Sequence, residues 1–222
     1  SNVAVSNLIA DILGDIPYEL DSEIGAKTVS GYLPIQTKRE ALRQVIFAIG
    51  GMIDTSRNEN VVIKSLPTII NSVLGEDKII DIKTTELSIT TSIELNTHKY
   101  KANVEEKELF NDTLNGTLYL TFGEPIHDLT ITGGTILTSG TNYATIKGNG
   151  TVILKGKGYD DIVETISKSN PVVATTDLQK IETHETTLNC NSSELLDSLK
   201  FVKSNIDVTF NMTTEKVGDL IN

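Results

Sequence analysis

The residue types that this sequence lacks exclude several classes of site and fold. It has no tryptophan and a single cysteine, Cys190, and aromatic residues make up only 5% of its 222 residues. One cysteine excludes an internal disulfide framework and a zinc site built on cysteine thiolates. No apolar run reaches the roughly 18 residues that indicate a membrane-spanning helix, and the first residues lack the pattern of a signal peptide. We therefore expect no membrane insertion.

Positive charge is also scarce. Lysine and arginine total 19 against 30 aspartate and glutamate residues, which gives a net charge of −11. Such a surface repels phosphate backbones and anionic lipids, so the composition predicts no stable nucleic-acid binding. Solubility is a sufficient reason for this charge. The alternative is a negative face that lines a channel through which DNA slides without binding.

The N-terminal part alternates between helical and strand patterns. Apolar residues at helical spacing within residues 7–14 predict a first helix that ends at Gly14. Residues 18–20 can extend as a short strand. Thr37 and Glu40 form a capping box for a second helix, which ends at the Gly50-Gly51 pair. Residues 52–63 then alternate around a polar turn and predict a hairpin.

The middle of the chain is rich in threonine, isoleucine, glycine and asparagine. Residues 86–95 alternate as a half-buried strand does, and the pattern predicts further short strands at 117–122, 126–131, 135–137, 143–146 and 152–154. The predicted turns between them are Asn115-Gly116, Gly133-Gly134, Ser139-Gly140 and Gly148-Asn149-Gly150. Closely spaced short strands of this kind indicate an antiparallel sandwich or barrel.

After Asn170-Pro171 the pattern returns to helix and strand. Ser192 or Ser193 can cap a helix that carries Leu195, Leu196, Leu199 and Val202, and residues 206–210 alternate as a strand. The sequence therefore predicts an α+β fold, in which strand-helix-hairpin α/β segments flank an antiparallel, β-sandwich-like insert. We expect an N-terminal segment at 1–83, the insert at 84–170 and a C-terminal segment at 171–222 that packs with the N-terminal part. Strands within 28–66 and 192–213 are expected to pair.

Two stretches resemble ligand-binding motifs only weakly, and both are better explained as turns. Gly156 and Gly158 follow a predicted strand, but a dinucleotide loop needs a small residue where Asp161 stands, so we predict a tight turn. Residues 111–116 lack the ligand spacing and closing glutamate of a calcium loop and predict a hairpin turn. We expect no catalytic, cofactor-binding or metal-binding residues, and no cofactor.

The three histidines support the same expectation. They are His98, His127 and His184, and none stands at the spacing of a helical metal site. His127 precedes Asp128, but no nucleophile elbow accompanies the two residues. We therefore predict a protein that is not an enzyme.

Three stretches resemble parts of bacteriophage tail proteins. The first consists of Gly31-Tyr-Leu-Pro34, Thr37-Lys-Arg-Glu-Ala-Leu42, Phe47-Ala-Ile-Gly50 and Ile53-Asp-Thr-Ser-Arg57. It resembles a module of phage and prophage tail or baseplate hubs, in which a REAL-like helix ends in Ala-x-Gly and a hairpin follows. Residues 195–220 are similar to the end of a hub domain. Residues 122–129, 132–135 and 154–159 resemble a β insert of Gram-positive prophage tail proteins.

The resemblance implies a non-enzymatic structural component of a phage or prophage tail or baseplate. Its expected mechanism is subunit assembly, with other tail subunits as partners and a homo-oligomer in the full-length protein. Its expected location is the virion tail, assembled in the bacterial cytoplasm. Because such hubs carry an upstream barrel half and continue past this end, we expect the chain to be a piece of a longer polypeptide.

The alternative is a surface-recognition module, glycan- or protein-binding, carried by the β insert. Aromatic platforms are the side chains that favour sugar binding. The aromatic residues of this region are Tyr100, Phe110, Tyr119, Phe122, Tyr143 and Tyr159. We expect Tyr119 and Phe122 to contribute to the sheet faces.

Overall fold

The structure is a computed structural model that describes residues 2–55, 59–66, 70–72, 79–86, 90–171, 180–199, 204–210 and 220–221. Its helices are α1 (Val5–Leu13), α2 (Ser22–Gly25), α3 (Lys38–Ala48) and α4 (Ser192–Ser198). Its strands are β1 (Val3–Ala4), β2 (Tyr18–Leu20), β3 (Thr28–Gly31), β4 (Gly51–Asp54), β5 (Val61–Ser65), β6 (Ile70–Ser72), β7 (Ile79–Glu86), β8 (Ser92–Thr121), β9 (His127–Ser139), β10 (Tyr143–Ser169), β11 (Ile181–Thr186), β12 (Leu188–Asn189), β13 (Ser204–Phe210) and β14 (Leu220–Ile221). The predicted α+β class is confirmed, with strand in clear excess over helix.

The chain divides into two compact units. The first unit contains residues 1–30, 38–97 and 164–222, and the second contains residues 31–37 and 98–163. Strands β8 and β10 each contribute residues to both units. The sequence placed the insert at 84–170. No turn or change of composition marks residues 98 and 163, because both strands continue through these positions without a break.

The helices of the first unit follow the apolar spacing of the sequence. Helix α1 buries Val5, Ile9, Ile12 and Leu13, and α3 buries Leu42, Val45, Ile46 and Ala48. At the end of α1, Gly14 adopts a φ of 60° and donates its backbone N–H to the carbonyl of Ala10. The left-handed region costs glycine little, which is why the helix ends there. Both predicted helices are confirmed.

Small sheets complete the N-terminal part of the first unit. Strand β5 lies between β2, which is parallel to it, and β4, which is antiparallel to it. The β4–β5 pairing, with Ile53 opposite Ile63, confirms the predicted hairpin. The predicted turn of that hairpin, residues 57–60, includes residues 57 and 58, which lie outside the described residues. Strands β1, β3 and β12 form a second sheet in that order.

The C-terminal strands pair differently from the expectation. Strand β13 is antiparallel to β7, and β14 is parallel to β6, so the strand at 204–210 does not pair with a strand of 28–66. That expectation was wrong, because the alternation that indicates a strand carries no information about its neighbour. Helix α4 begins one or two residues earlier than the predicted Ser192 or Ser193 caps imply, with the Asn191 side chain accepting the backbone N–H of Glu194.

One apolar cluster joins distant parts of the first unit. Ile93 and Leu95 at the start of β8 are fully buried against Leu195 and Leu196 of α4. Phe47, Ile166 and Leu199 pack around them. Burial of this kind contributes about 1.5–3 kcal/mol for each large aliphatic side chain. The cluster therefore ties the C-terminal helix to the long strands.

The second unit is built from long, bent strands. Strands β8, β10 and β9 lie side by side in a single sheet, with β9 and β10 antiparallel. We find no second sheet among the described residues of this unit. Of the four predicted turns, Ser139-Gly140 separates two strands, whereas Asn115-Gly116, Gly133-Gly134 and Gly148-Asn149-Gly150 lie inside strands. Those three predictions were wrong.

Register shifts explain the glycines within these strands. The β9–β10 pairing changes register between Gly148 and Ile153, next to Gly133 and Gly134 on the neighbouring strand. A bulge places an extra residue in one strand and bends it, and glycine supplies the backbone conformations that the bend requires. One face of the bent sheet buries Ala144, Ile146, Val152 and Leu154 completely. Around them pack Leu109, Phe110, Leu114, Leu118, Leu120, Phe122, Leu129, Ile131 and Ile136.

Candidate functional site

The histidines lie at three separate places in the fold. In β8, His98 Nδ1 is 2.8 Å from Asp161 Oδ2, while His184 in β11 has its Nε2 2.7 Å from Glu182 Oε1. His127 begins β9, and its Nε2 lies 3.1 Å from the carbonyl oxygen of Gly158. Within the described part of the chain, no group of three or more histidine, cysteine, aspartate or glutamate side chains is placed to hold a metal ion.

A group of charged and aromatic side chains surrounds His127. Asp128 Oδ2 lies 3.2 Å from Lys157 Nζ and 3.4 Å from His127 Nδ1, and the rings of His127 and Tyr159 are 4.8 Å apart. The hydrogen bond from Lys157, and then that from His127, holds the pKa of Asp128 below its usual range. Asp128 therefore stays ionised and fixes the beginning of β9 to β10. This arrangement stabilises the sheet.

The two glycine-containing motifs both lie inside long strands. Residues 156 and 158 lie within β10, and Asp161 follows in the same strand, so the predicted tight turn was wrong. A Cβ atom on Gly156 would come within 2.6 Å of Ile126 Cγ2 and 2.9 Å of Leu129 Cδ2. Because glycine has no Cβ atom, the side chains of Ile126 and Leu129 can pack directly against the backbone of β10 at this position. Residues 111–116 likewise lie inside β8, so the predicted hairpin turn was wrong.

The most exposed aromatic pair of the second unit is Tyr119 and Tyr143. Their rings stack with centroids 5.6 Å apart, and Tyr119 is 58% exposed. Tyr119 therefore lies on a sheet face, as expected, whereas Phe122 packs against the core cluster. A second contact between tyrosines involves Tyr32 and Tyr100, whose rings meet edge to face at 5.8 Å. Tyr32 was missed from the sequence because residues 31–37 lie far from 98–163 along the chain.

A small depression in the first unit contains the single cysteine. Its volume is about 40 Å³, and Cys190, Lys27, Glu194 and Gly50 are among its lining residues. Lys27 Nζ donates to the carbonyl of Ile49 at 3.0 Å and lies 3.2 Å from Glu194 Oε1. Burial raises the pKa of the Cys190 thiol, and the charge of Lys27 opposes this shift. The space suits water better than an organic ligand.

Exposed apolar side chains on strands are the most prominent surface feature. Val104 in β8 is 84% exposed, and Ile80 and Ile82 in β7 are 64% and 52% exposed. Other exposed aliphatic residues on strands are Val3, Leu137, Ile162, Val163 and Ile181. The sequence could not identify them, because alternation predicts one apolar face without showing whether another element covers it. Such residues indicate contact surfaces when they cluster.

Comparison with known proteins adds no relative. No protein-family model matches the chain, and neither a curated protein nor a solved structure matches it significantly. In the part of the chain that the structure describes, no helix combines the length and apolar character needed to span a membrane. The resemblance to tail proteins stays a prediction.

Proposed function

We propose that this chain is a non-enzymatic structural component of a phage or prophage tail or baseplate, which acts through subunit assembly. Its partners are other tail subunits, and the full-length protein forms a homo-oligomer. The sequence supports this proposal through three resembling stretches, which occur in the chain as hub module, β insert and hub end. Assembly takes place in the bacterial cytoplasm, and the final location is the virion tail.

The observation that carries the assembly mechanism is the exposure of apolar side chains on strands. Ile80 and Ile82 stand on β7 of the first unit, and Val104 stands on β8 of the second. Removing apolar surface from water stabilises an interface by about 25 cal/mol for each Å² buried. Strands that carry such residues gain most from contact with another protein surface, and repeated contacts of this kind build an oligomer.

Immunogold electron microscopy tests the location. Antibody raised against the purified chain is applied to lysates of the induced source strain, and a blot confirms that the antigen is present. We expect gold at tail tips. Intact particles without gold, in a lysate that contains the antigen, would contradict the proposal.

A second function, surface recognition through the β insert, is favoured by one observation. The stacked Tyr119–Tyr143 pair offers an exposed aromatic face, the type of surface on which sugar rings pack. A glycan array probed with the chain and with its Tyr119→Ala variant tests this function. Binding that disappears in Tyr119→Ala but persists in Tyr159→Ala would support it, and an array with no signal above background would reject it.

A further inference from the structure

In the part of the chain that the structure describes, strands β7 and β13 form a sheet of two strands only. They pair in antiparallel fashion, with Ile82 opposite Val208 and Lys83 opposite Asp207. Among the described residues, no strand pairs with the other edge of β7. Two-stranded ribbons are marginally stable in water unless further strands or a packed face support them. The free edge of β7 also presents backbone N–H and C=O groups on which another strand can pair.

The side chains of β7 divide into an apolar and a charged face. Ile80 and Ile82 are two residues apart and share one face, and both are more than half exposed. Asp81 and Lys83 share the opposite face and are also exposed. Natural proteins usually protect a free strand edge of this kind from pairing, for example with charged residues, proline or a bulge. Here the edge strand keeps two exposed isoleucines.

The charges on β7 are complementary to themselves. When two copies of β7 pair in antiparallel fashion around Ile82, Asp81 of one copy lies opposite Lys83 of the partner subunit, and the second copy makes the same contact in return. Ile82 then meets its own counterpart, and Ile80 lies opposite Thr84 of the partner subunit. A pairing centred on Asp81 or Lys83, or an in-register parallel pairing, places like charges opposite each other. Like charges at directly opposed positions are destabilising.

We propose that the free edge of β7 pairs with β7 of a second copy of this chain, antiparallel and centred on Ile82. The result is a four-stranded sheet in the order β13-β7-β7-β13 with twofold symmetry. This inference rests on the proposed function, because it names the contact through which the assembly begins. Lys83 then lies between two acidic positions, Asp207 of its own chain and Asp81 of the partner subunit.

A charge-swap experiment tests the pairing by sedimentation equilibrium. The first variant is Asp81→Lys, and the second combines Lys83→Asp with Asp207→Lys, so that the ribbon itself keeps opposite charges. Each variant alone replaces two attractive contacts with two repulsive ones, and we expect its dimer dissociation constant to rise at least about tenfold. An equimolar mixture of the two variants restores both attractive contacts. We expect the mixture to form a heterodimer about as tight as the wild-type dimer.

The control is Asp11→Lys, which makes the same change of net charge as Asp81→Lys at an exposed position of α1. Circular dichroism checks that each variant is folded. The inference is supported if Asp11→Lys dimerises as tightly as the wild type and if the two charge-swapped variants dimerise only when they are mixed. A monomeric wild-type chain, or single variants that dimerise as tightly as the wild type, would overturn it.

Cross-linking tests the register directly. In a Cys190→Ser background, Ile82→Cys places two thiols at opposed positions, where Cα atoms are about 4.5–5.5 Å apart and a disulfide can form. Ile80→Cys lies opposite Thr84 instead, too far from its own counterpart to be bridged. We expect a disulfide-linked dimer from Ile82→Cys and not from Ile80→Cys; the reverse would overturn the register. Gold labelling of tails is independent of both results, so failure of the pairing and failure of the tail location are distinguishable.

Discussion

The Nζ atom of Lys64 lies 3.3 Å from the Oδ2 atom of Asp54, whose side chain is only 1% exposed. Asp54 ends β4 and Lys64 lies in β5, so the ion pair joins the two strands of the hairpin. A buried carboxylate loses its hydration and depends on partners inside the protein. The hairpin therefore depends on a charge pair as well as on its backbone hydrogen bonds.

We expect Lys64→Met to lower the free energy of unfolding by about 2–4 kcal/mol, because it removes the cation that lies 3.3 Å from the buried Asp54 carboxylate. Urea denaturation followed by circular dichroism measures the change. Arg43→Met removes a positive charge from an exposed position of α3 in the same unit, and its effect should stay within about 0.5 kcal/mol. Equal losses in the two variants would contradict a specific role for the ion pair.

Gly133→Ala should destabilise the second unit. Gly133 has a φ of 77°, and a Cβ atom there would clash with the carbonyl oxygen of Thr151. Because the obstacle is backbone, we expect a loss of at least about 2 kcal/mol. Gly123 has no heavy atom within 4 Å of an added Cβ, so Gly123→Ala should change stability by less than about 1 kcal/mol.

Tyrosine fluorescence during urea unfolding is a suitable measurement for this pair of variants. The second unit contains five of the six tyrosines, the exception being Tyr18 in the first unit, and the chain has no tryptophan. The signal therefore reports mainly on the second unit. A Gly133→Ala transition that coincides with that of Gly123→Ala would show that the bulge tolerates a side chain.

Lys157→Met should raise the pKa of Asp128 towards its ordinary value, because the hydrogen bond from Lys157 is the largest cause of its lowered pKa. A carboxyl group whose pKa is lowered in the folded state contributes stability above its unfolded pKa, and this stability is lost as the pH falls through the folded pKa. The window lies at and below the ordinary aspartate pKa of about 3.9. Carbon-13 NMR titration of the carboxyl group measures the shift, and Lys147→Met should leave it unchanged.

The Cys190 thiol should react slowly with iodoacetamide at neutral pH, because burial raises its pKa and the thiolate is the reactive form. Lys27→Met should slow the reaction further, since the charge of Lys27 lowers the thiol pKa. Glu194→Gln should accelerate it, since the charge of Glu194 raises that pKa. The chain unfolded in urea provides the reference rate. Shifts of the two variants in the same direction would contradict this electrostatic origin.

The sequence predicted the elements whose signals are local. Helices α1 and α3 follow from apolar spacing and from the glycines that end α1 and follow α3, and the β4–β5 hairpin follows from alternation around polar residues. In the second unit the same reasoning failed. Glycine pairs such as Gly133-Gly134 were assigned to turns, whereas they form bulges inside long strands. Turns and bulges both use the conformational freedom of glycine, so composition alone does not distinguish them.

The candidate contact surfaces were beyond sequence reasoning for a different reason. The alternation of Ile80, Asp81, Ile82 and Lys83 is visible in the sequence, but an alternating strand is normally covered on its apolar face. Only the pairing of β7 with β13, and the exposure of both isoleucines, identifies the free edge. The Tyr119–Tyr143 stack likewise depends on which residues of β8 and β10 become neighbours.

By itself, the sequence determined the acidic charge, the α+β class and the positions of helices α1, α3 and α4, because these depend on composition and on contacts between residues close in the chain. The tertiary structure decided that residues 31–37 belong with 98–163, that β13 pairs with β7, and that Asp54 is buried beside Lys64. Each of these joins segments whose approach is set by packing and strand register. Those long-range terms leave no periodic trace in the sequence.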